Sequence, residues 1–260
     1  MSKKKTEKRK PIIQVKGLEK VYQAASGQLL AIENLSFDVQ EGEFVTVVGP
    51  SGCGKTTLLK ILGGILAPTG GEITLKGKPV RGPQRGIGMV FQNPVLLAWR
   101  TSLKNVLLPM EILGLEGGKY TKEARNLLKL VGLEGFESKY PRELSGGMQQ
   151  RVSIARALIH DPALLLMDEP FGSLDAITRD LMNLELLRIW RETKKTVVFV
   201  THSIPEAVFL ADRVIVLTAR PSNVAGIFEV SISRPRDMKD RSSRTYSNLI
   251  SSVRNLIGAK

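Results

Sequence analysis

The run GPSGCGKTT at 49–57 constrains the fold more than any other part of this chain. It fits the pattern G-x-x-x-x-G-K-[ST], with the apolar segment FVTVV before it and the helix-forming KTTLLKILGGIL from Lys55 onward. Gly49, Gly52 and Gly54 carry no Cβ, so the loop can turn its backbone N–H groups inward around phosphate oxygens. The following helix aims the positive end of its dipole at the same point. Pro50, Ser51 and Cys53 fill the remaining loop positions. Lys55 is placed to reach β and γ phosphates, Thr56 to offer its hydroxyl to Mg²⁺, and Thr57 to donate a further hydrogen bond. Strand, phosphate loop and helix in that order imply an α/β fold, but the loop alone leaves a kinase, a GTPase, a motor and a pump equally open.

The rest of the chain narrows this. Between Ile12 and Leu75 short β-rich segments (IIQVKGL, NLSFDV, FVTVV, EITL) alternate with turn signals, EGE at 41–43 and PTGG at 68–71. From Ser102 to about Ile159 the apolar spacing becomes helical: Leu103, Val106, Leu107 and Met110 recur at three and four, as do Ala124, Leu127, Leu128 and Val131. This stretch reads as a helical insertion. After it come a buried strand ALLLM, a long helix over 176–193, the strand VVFVT, a short helix from about Pro205 and the strand RVIVL, the alternation of a parallel sheet with helices on its faces. The last stretch, from Arg234, reads as a polar linker and then an amphipathic helix presenting Leu249, Ile250, Val253, Leu256 and Ile257.

Three strand ends carry further chemistry. Asp168 and Glu169 close ALLLM, where ligands of open parallel sheets bind; Asp168 is placed to hold Mg²⁺ opposite Thr56, and Glu169 to polarise an attacking water. His202 closes VVFVTHS and is a candidate contact for the γ-phosphate. Gln92, in GMVFQNP, begins the loop into the helical insertion, where its side-chain oxygen can meet the metal.

LSGGMQQR at 144–151 chooses among nucleotidases. With it, the sequence resembles the ATPase subunit of ATP-binding cassette transporters from Ile12 to about Val230. The family's six motifs occur here in order: the phosphate loop (Gly49 to Thr57), a glutamine loop (Gln92), an L-S-G-G signature (Leu144 to Gly147), a D-E strand end (Asp168, Glu169), an S-L-D loop (Ser173 to Asp175) and a switch histidine (His202). Met148 departs from the family's usual Gln, a change expected to be tolerated because Ser145, Gly146 and Gly147 supply the hydroxyl and N–H groups that a phosphate wants. VFQNPVLLAWRTSLKNV at 90–106, with Trp99 and Arg100, and RPRD at 234–237 look like the nitrate, sulfonate, taurine and bicarbonate importer branch; the sequence after Leu217 departs from that branch.

The resemblance implies a P-loop NTPase (RecA-like) core over 12–92 and 160–233 with an antiparallel β subdomain, and a helical signature subdomain over about 93–159. A basic tail, 1–11, and a basic extension, 234–260, flank these. It further implies that Tyr22, in the loop before the second strand, stacks on adenine. ATP and Mg²⁺ bind, Asp175 of the S-L-D loop is among the nucleotide-binding residues, and the signature residues Ser145, Gly146 and Gly147 of one copy complete the site of a second copy in a head-to-tail sandwich. Glu169, His202, Lys55 and Gln92 carry hydrolysis. Transmembrane permease subunits are the direct partners, an extracytoplasmic solute-binding protein the indirect one, and the cytoplasmic face of the membrane the location. An exporter or lipid-extraction ATPase, and a cytosolic cassette ATPase, remain open as alternatives.

Charge bears on partners. The formal net charge is +13, but each end carries +5, which leaves +3 for the residues between. Solvated tails near anionic headgroups or a partner explain this without a specific nucleic-acid site. No apolar run approaches the ~18–20 residues of a membrane-spanning helix, and no signal-peptide pattern follows the basic start. The single cysteine, Cys53, makes no internal disulfide; beside Lys55 and a helix start it is either a thiol of lowered pKa open to alkylation or only a small filler of the loop.

Overall fold

The computed structural model describes residues 11–24, 27–115 and 117–258. A long hairpin opens it, β1 (Pro11–Ala24) against β2 (Gly27–Gln40). Next, β3 (Phe44–Val48) runs through the phosphate loop into α1 (Lys55–Leu62). The chain returns to the hairpin as β4 (Gly70–Leu75) and β5 (Lys78–Pro79), completing an antiparallel sheet in the order β2-β1-β4-β5. It then leaves through β6 (Ile87–Val90) for the helices α2 (Ser102–Ile112), α3 (Gly118–Leu130) and α4 (Gly146–Leu158). The remainder alternates: β7 (Leu164–Asp168), α5 (Ala176–Thr193), β8 (Thr196–Val200), α6 (Ile204–Leu210), β9 (Arg213–Leu217), β10 (Val224–Glu229) and α7 (Arg244–Gly258).

The second sheet, β10-β9-β3-β8-β7-β6, is parallel except for β10. Its central strands β3, β7 and β8 are buried almost throughout because both faces are covered. Val45, Val47, Leu164, Leu166, Val198 and Val200 face α1 and the antiparallel sheet, whereas Phe44, Val48, Leu165, Met167, Val197 and Phe199 face the other helices. That period of two sets the strand register. The parallel order brings the carboxyl ends of β3, β8 and β7, adjacent in the sheet, to one edge. Among the described residues no helix is long and apolar enough to cross a membrane.

Three expectations change. Tyr22 lies within β1, paired with Leu29, because the hairpin continues through several register shifts past the point where the sequence loses its alternation. The span from Arg234 is no polar linker. Arg236 is buried, and its Nη1 donates to the carbonyls of Phe209 (2.8 Å) and Ala211 (2.7 Å) at the end of α6, where unpaired carbonyls and the negative end of the helix dipole accept a cation. Arg234 pairs with Asp212 at 2.8 Å and stacks 4.1 Å above the Trp190 ring. Third, Arg241 meets Asp180 at 2.6 Å, so Arg234, Arg236 and Arg241 of the basic extension are engaged within the fold and are not solvated tail charges. The N-terminal charges lie outside the described residues. Tyr246 and Val253 anchor α7, and the Tyr246 hydroxyl donates to Pro205 O at 2.8 Å.

Candidate functional site

The phosphate loop is shaped by close contact. A Cβ on Gly49 would lie 2.9 Å from Cys53 Sγ and 3.0 Å from Leu217 O, and Gly54, with φ of +109°, caps α1 in the left-handed region. Lys55 is buried, and its Nζ donates to Gly49 O and Pro50 O, each at 2.9 Å, which holds the ammonium across the loop. Thr57 Oγ1 lies 3.1 Å from the Tyr22 hydroxyl, tying the loop's helix to the antiparallel sheet. The Tyr22 ring is half-buried beside Lys20.

Cys53 is the small loop filler of the two alternatives: it is 1% exposed, and burial pushes its thiol pKa up, with Lys55 opposing but not prevailing. Proximity to a cation lowers a thiol pKa only while water can reach the thiolate. The thiol is therefore a buried packing group, which corrects the alkylation-sensitive alternative.

At the neighbouring strand ends, Thr56 Oγ1 donates to Asp168 Oδ1 at 3.2 Å, and burial raises the Asp168 pKa against the pull of that hydrogen bond. Hard oxygens meeting at a phosphate loop suit Mg²⁺, which takes few protein ligands and shares the rest with phosphates and water. Among the described residues no three His, Cys, Asp or Glu side chains cluster to hold an ion by themselves. His202 Nδ1 lies 2.8 Å from Glu169 Oε2. Glu169 has φ of +43°, and its N–H donates to Val200 O. Gln92 faces the same corner: a Cβ on Gly172 would sit 3.3 Å from Gln92 Nε2 and 3.6 Å from Glu169 Oε2.

Ser145 caps α4, its Oγ accepting from Met148 N at 3.3 Å, and Gly146 is exposed. Gly147 packs on α5, since its Cβ would lie 3.5 Å from Thr178. Asp175 caps α5 by accepting from Thr178 N at 3.0 Å, which lowers its pKa. Among the described residues no hydrogen bond joins Ser145, Gly146 or Gly147 to the phosphate loop of the same chain.

Several contributors escaped the sequence reading. Gln150 donates to Phe91 O at 3.1 Å, and Arg156 donates at 2.8 Å to both Pro94 O and Val95 O, so α4 grips the segment around Gln92. Asn105 fastens the loop of Trp99 and Arg100 through Leu97, Arg100 and Thr101. Glu206, buried behind His202, accepts from Thr201 Oγ1 at 2.5 Å, and Thr201 Oγ1 in turn accepts from Ser203 N. Arg220 donates to Gly52 O.

Comparison with known proteins agrees with this geometry. The family model described as "ABC transporter" matches residues 32–172. An uncharacterized ABC transporter ATP-binding protein of Methanocaldococcus jannaschii is 51% identical over 90% of this chain and 88% of its own length. The aliphatic sulfonates import ATP-binding protein of Bacillus thuringiensis subsp. konkukian is 40% identical over 93% and 94% respectively. Among solved structures, a dimeric ATP-binding cassette bound to ADP and Pi superposes with a TM-score of 0.74 at 35% identity, covering 85% of this chain and all of that one.

Proposed function

The chain belongs to the ABC transporter family and is one of its ATPases, and from that premise we propose that it energises uptake of a small anion, a sulfonate being the best supported, through a membrane permease. The observation that carries the site assignment is the convergence, at one sheet edge, of Lys55, the Thr56–Asp168 pair and the Glu169–His202 pair. The sulfonate reading rests on the similarity to the Bacillus import protein.

In the proposed reaction the loop N–H groups and Lys55 bind the β and γ phosphates of ATP, with Tyr22 beside the adenine. Thr56, Asp168 and Gln92 would hold Mg²⁺, which when bound neutralises charge developing on the phosphates. Glu169 Oε1, left free by the Oε2 bond to His202, takes a proton from the attacking water as its oxygen bonds to the γ-phosphorus. The β–γ bridging oxygen leaves with the bonding electrons, giving ADP and phosphate. His202, oriented by Glu169, faces the γ-phosphate. Ser145, Gly146, Gly147 and Asp175 of a second copy close the site, a reading supported by the dimeric relative.

The permease docks in the groove beside the Gln92 loop, a cavity of about 650 Å³ lined by Phe91, Val95, Leu97, Leu108, Pro109 and Ile112. Trp99 stands 74% exposed on the same loop. Because α4 carries both the signature and the grip on Phe91, Pro94 and Val95, closure of the dimer moves the docking loop. The chain then sits peripherally at the cytoplasmic face of the membrane. Glu169→Gln tests the core of this: hydrolysis should fall at least about 100-fold, while ATP binding persists and a dimer accumulates in gel filtration with Mg-ATP. An unchanged hydrolysis rate would overturn the assignment.

A further inference from the structure

The turn over residues 218–223 belongs to none of the six motifs, yet it touches the phosphate loop from outside. Arg220 Nη2 donates to Gly52 O at 2.6 Å, across 168 residues of sequence. On the other side of the same peptide, Cys53 N donates to Pro50 O at 3.3 Å. Both ends of the Gly52–Cys53 peptide are thereby held. Two residues on, Ser222 is fully buried and stitched into the antiparallel sheet: its N–H donates to Ala31 O, and its carbonyl accepts from Glu33 N, each at 3.0 Å. A Cβ on Gly54 would lie 3.4 Å from Ser222 Oγ and 3.5 Å from Ala31 O, so turn, loop and β2 meet at one point. Thr218 Oγ1 closes the turn by accepting from Asn223 N at 2.9 Å. Through β2 the turn reaches β1 and Tyr22.

We propose that Arg220 is a positioning residue for nucleotide binding, fixing the phosphate loop from its outer side and, through the Ser222 stitches, setting that loop against the strand that carries Tyr22. ATP spans both, phosphates on the loop and adenine on Tyr22, so an unbraced loop has to be ordered by the nucleotide itself. The cost falls on binding. Hydrolysis, which depends on Glu169 and His202, is left largely intact once ATP is bound.

This inference rests on the phosphate loop being the nucleotide site, so Lys55→Ala is measured in parallel. In calorimetric titration of the full chain with Mg-ATP, Arg220→Ala should raise Kd about tenfold, and Arg220→Lys, which keeps a cationic donor, should stay within about threefold. Turnover at saturating ATP should fall by no more than about threefold for Arg220→Ala. An unchanged Kd in Arg220→Ala, a loss confined to turnover, or a Lys variant no better than Ala would each overturn the role of Arg220. If Lys55→Ala also binds normally, the assignment of the site itself fails; if Lys55→Ala loses binding while Arg220→Ala does not, only the brace is lost.

Discussion

The chain holds two glycine-rich helix starts suited to phosphate, and they are built to different degrees. At the phosphate loop a buried ammonium is held by two carbonyls, a second acid-bearing strand stands alongside, and Arg220 braces the loop from outside. At Ser145–Gly147 there is a hydroxyl, a helix dipole and an exposed Gly146, and among the described residues no Lys or Arg side chain hydrogen-bonds to these three. The first basic residue along that helix, Arg151, is turned to the carbonyls of Val131 and Gly132. A helix N-terminus contributes roughly 0.3–1 kcal/mol toward an exposed anion, which cannot hold a nucleotide against the translational freedom it loses. On the proposed reading the first start holds a nucleotide by itself, and the second serves only against phosphate already held elsewhere.

That contrast can be broken most directly at its strong end. Lys55→Ala should weaken Mg-ATP binding about 100-fold, the range for losing a charge-assisted bond to a buried, held cation, read by equilibrium titration. At the weak end, Gly146→Asp puts an acid where a helix start favours one, so folding is preserved, while the γ-phosphate of a second copy is repelled. Hydrolysis should drop about 30-fold with binding to the single chain unchanged. Mixing the two variants sharpens the comparison: a mixed dimer contains one site with Lys55 and Gly146 both intact only if each signature serves the opposite chain. Restored hydrolysis is expected, and two inactive proteins that stay inactive together would place the signature in its own chain's site.

The smallest effect concerns Glu206. Burial holds its carboxyl above the ordinary range. A raised folded pKa means stability present at low pH and lost as pH rises through that value. Glu206→Gln does not titrate and keeps an acceptor for Thr201. Its melting temperature relative to the parent should therefore rise between pH 5 and pH 8, by about 2–4 °C per kcal/mol released. Parallel melting curves at the two pH values would show that Glu206 stays ionised in the fold.

Legibility in the sequence followed locality. The phosphate loop, Asp168, Glu169 and His202 announce themselves because each lies at the junction of a strand and its next segment, and the parallel order alone brings those junctions together. The short apolar runs FVTVV, ALLLM and VVFVT mark the central strands just as locally. Arg220, Glu206, Gln150 and Arg156 were not legible, since their roles depend on what a distant segment brings to them: Phe91 lies 59 residues from Gln150, and Gly52 lies 168 from Arg220. Tyr22 was assigned to a loop because β1 passes through register shifts that interrupt its alternation. Cys53 stayed ambiguous because its neighbours in sequence are electropositive, whereas its neighbours in space exclude water. Arg236, in a stretch of polar residues, gave no sign that it closes the end of α6.

The backbone of Glu169, at φ of +43°, sets a conflict between endurance and work. A residue with a Cβ held in the left-handed region costs about 1 kcal/mol or more relative to glycine. Glycine at 169 would relax that strain and remove a half-buried acid, and under the role proposed for Glu169 the hardier protein would no longer turn over ATP. Selection for heat resistance alone would drift toward that idle form, so any search for a more robust version of this ATPase has to screen for turnover at every round.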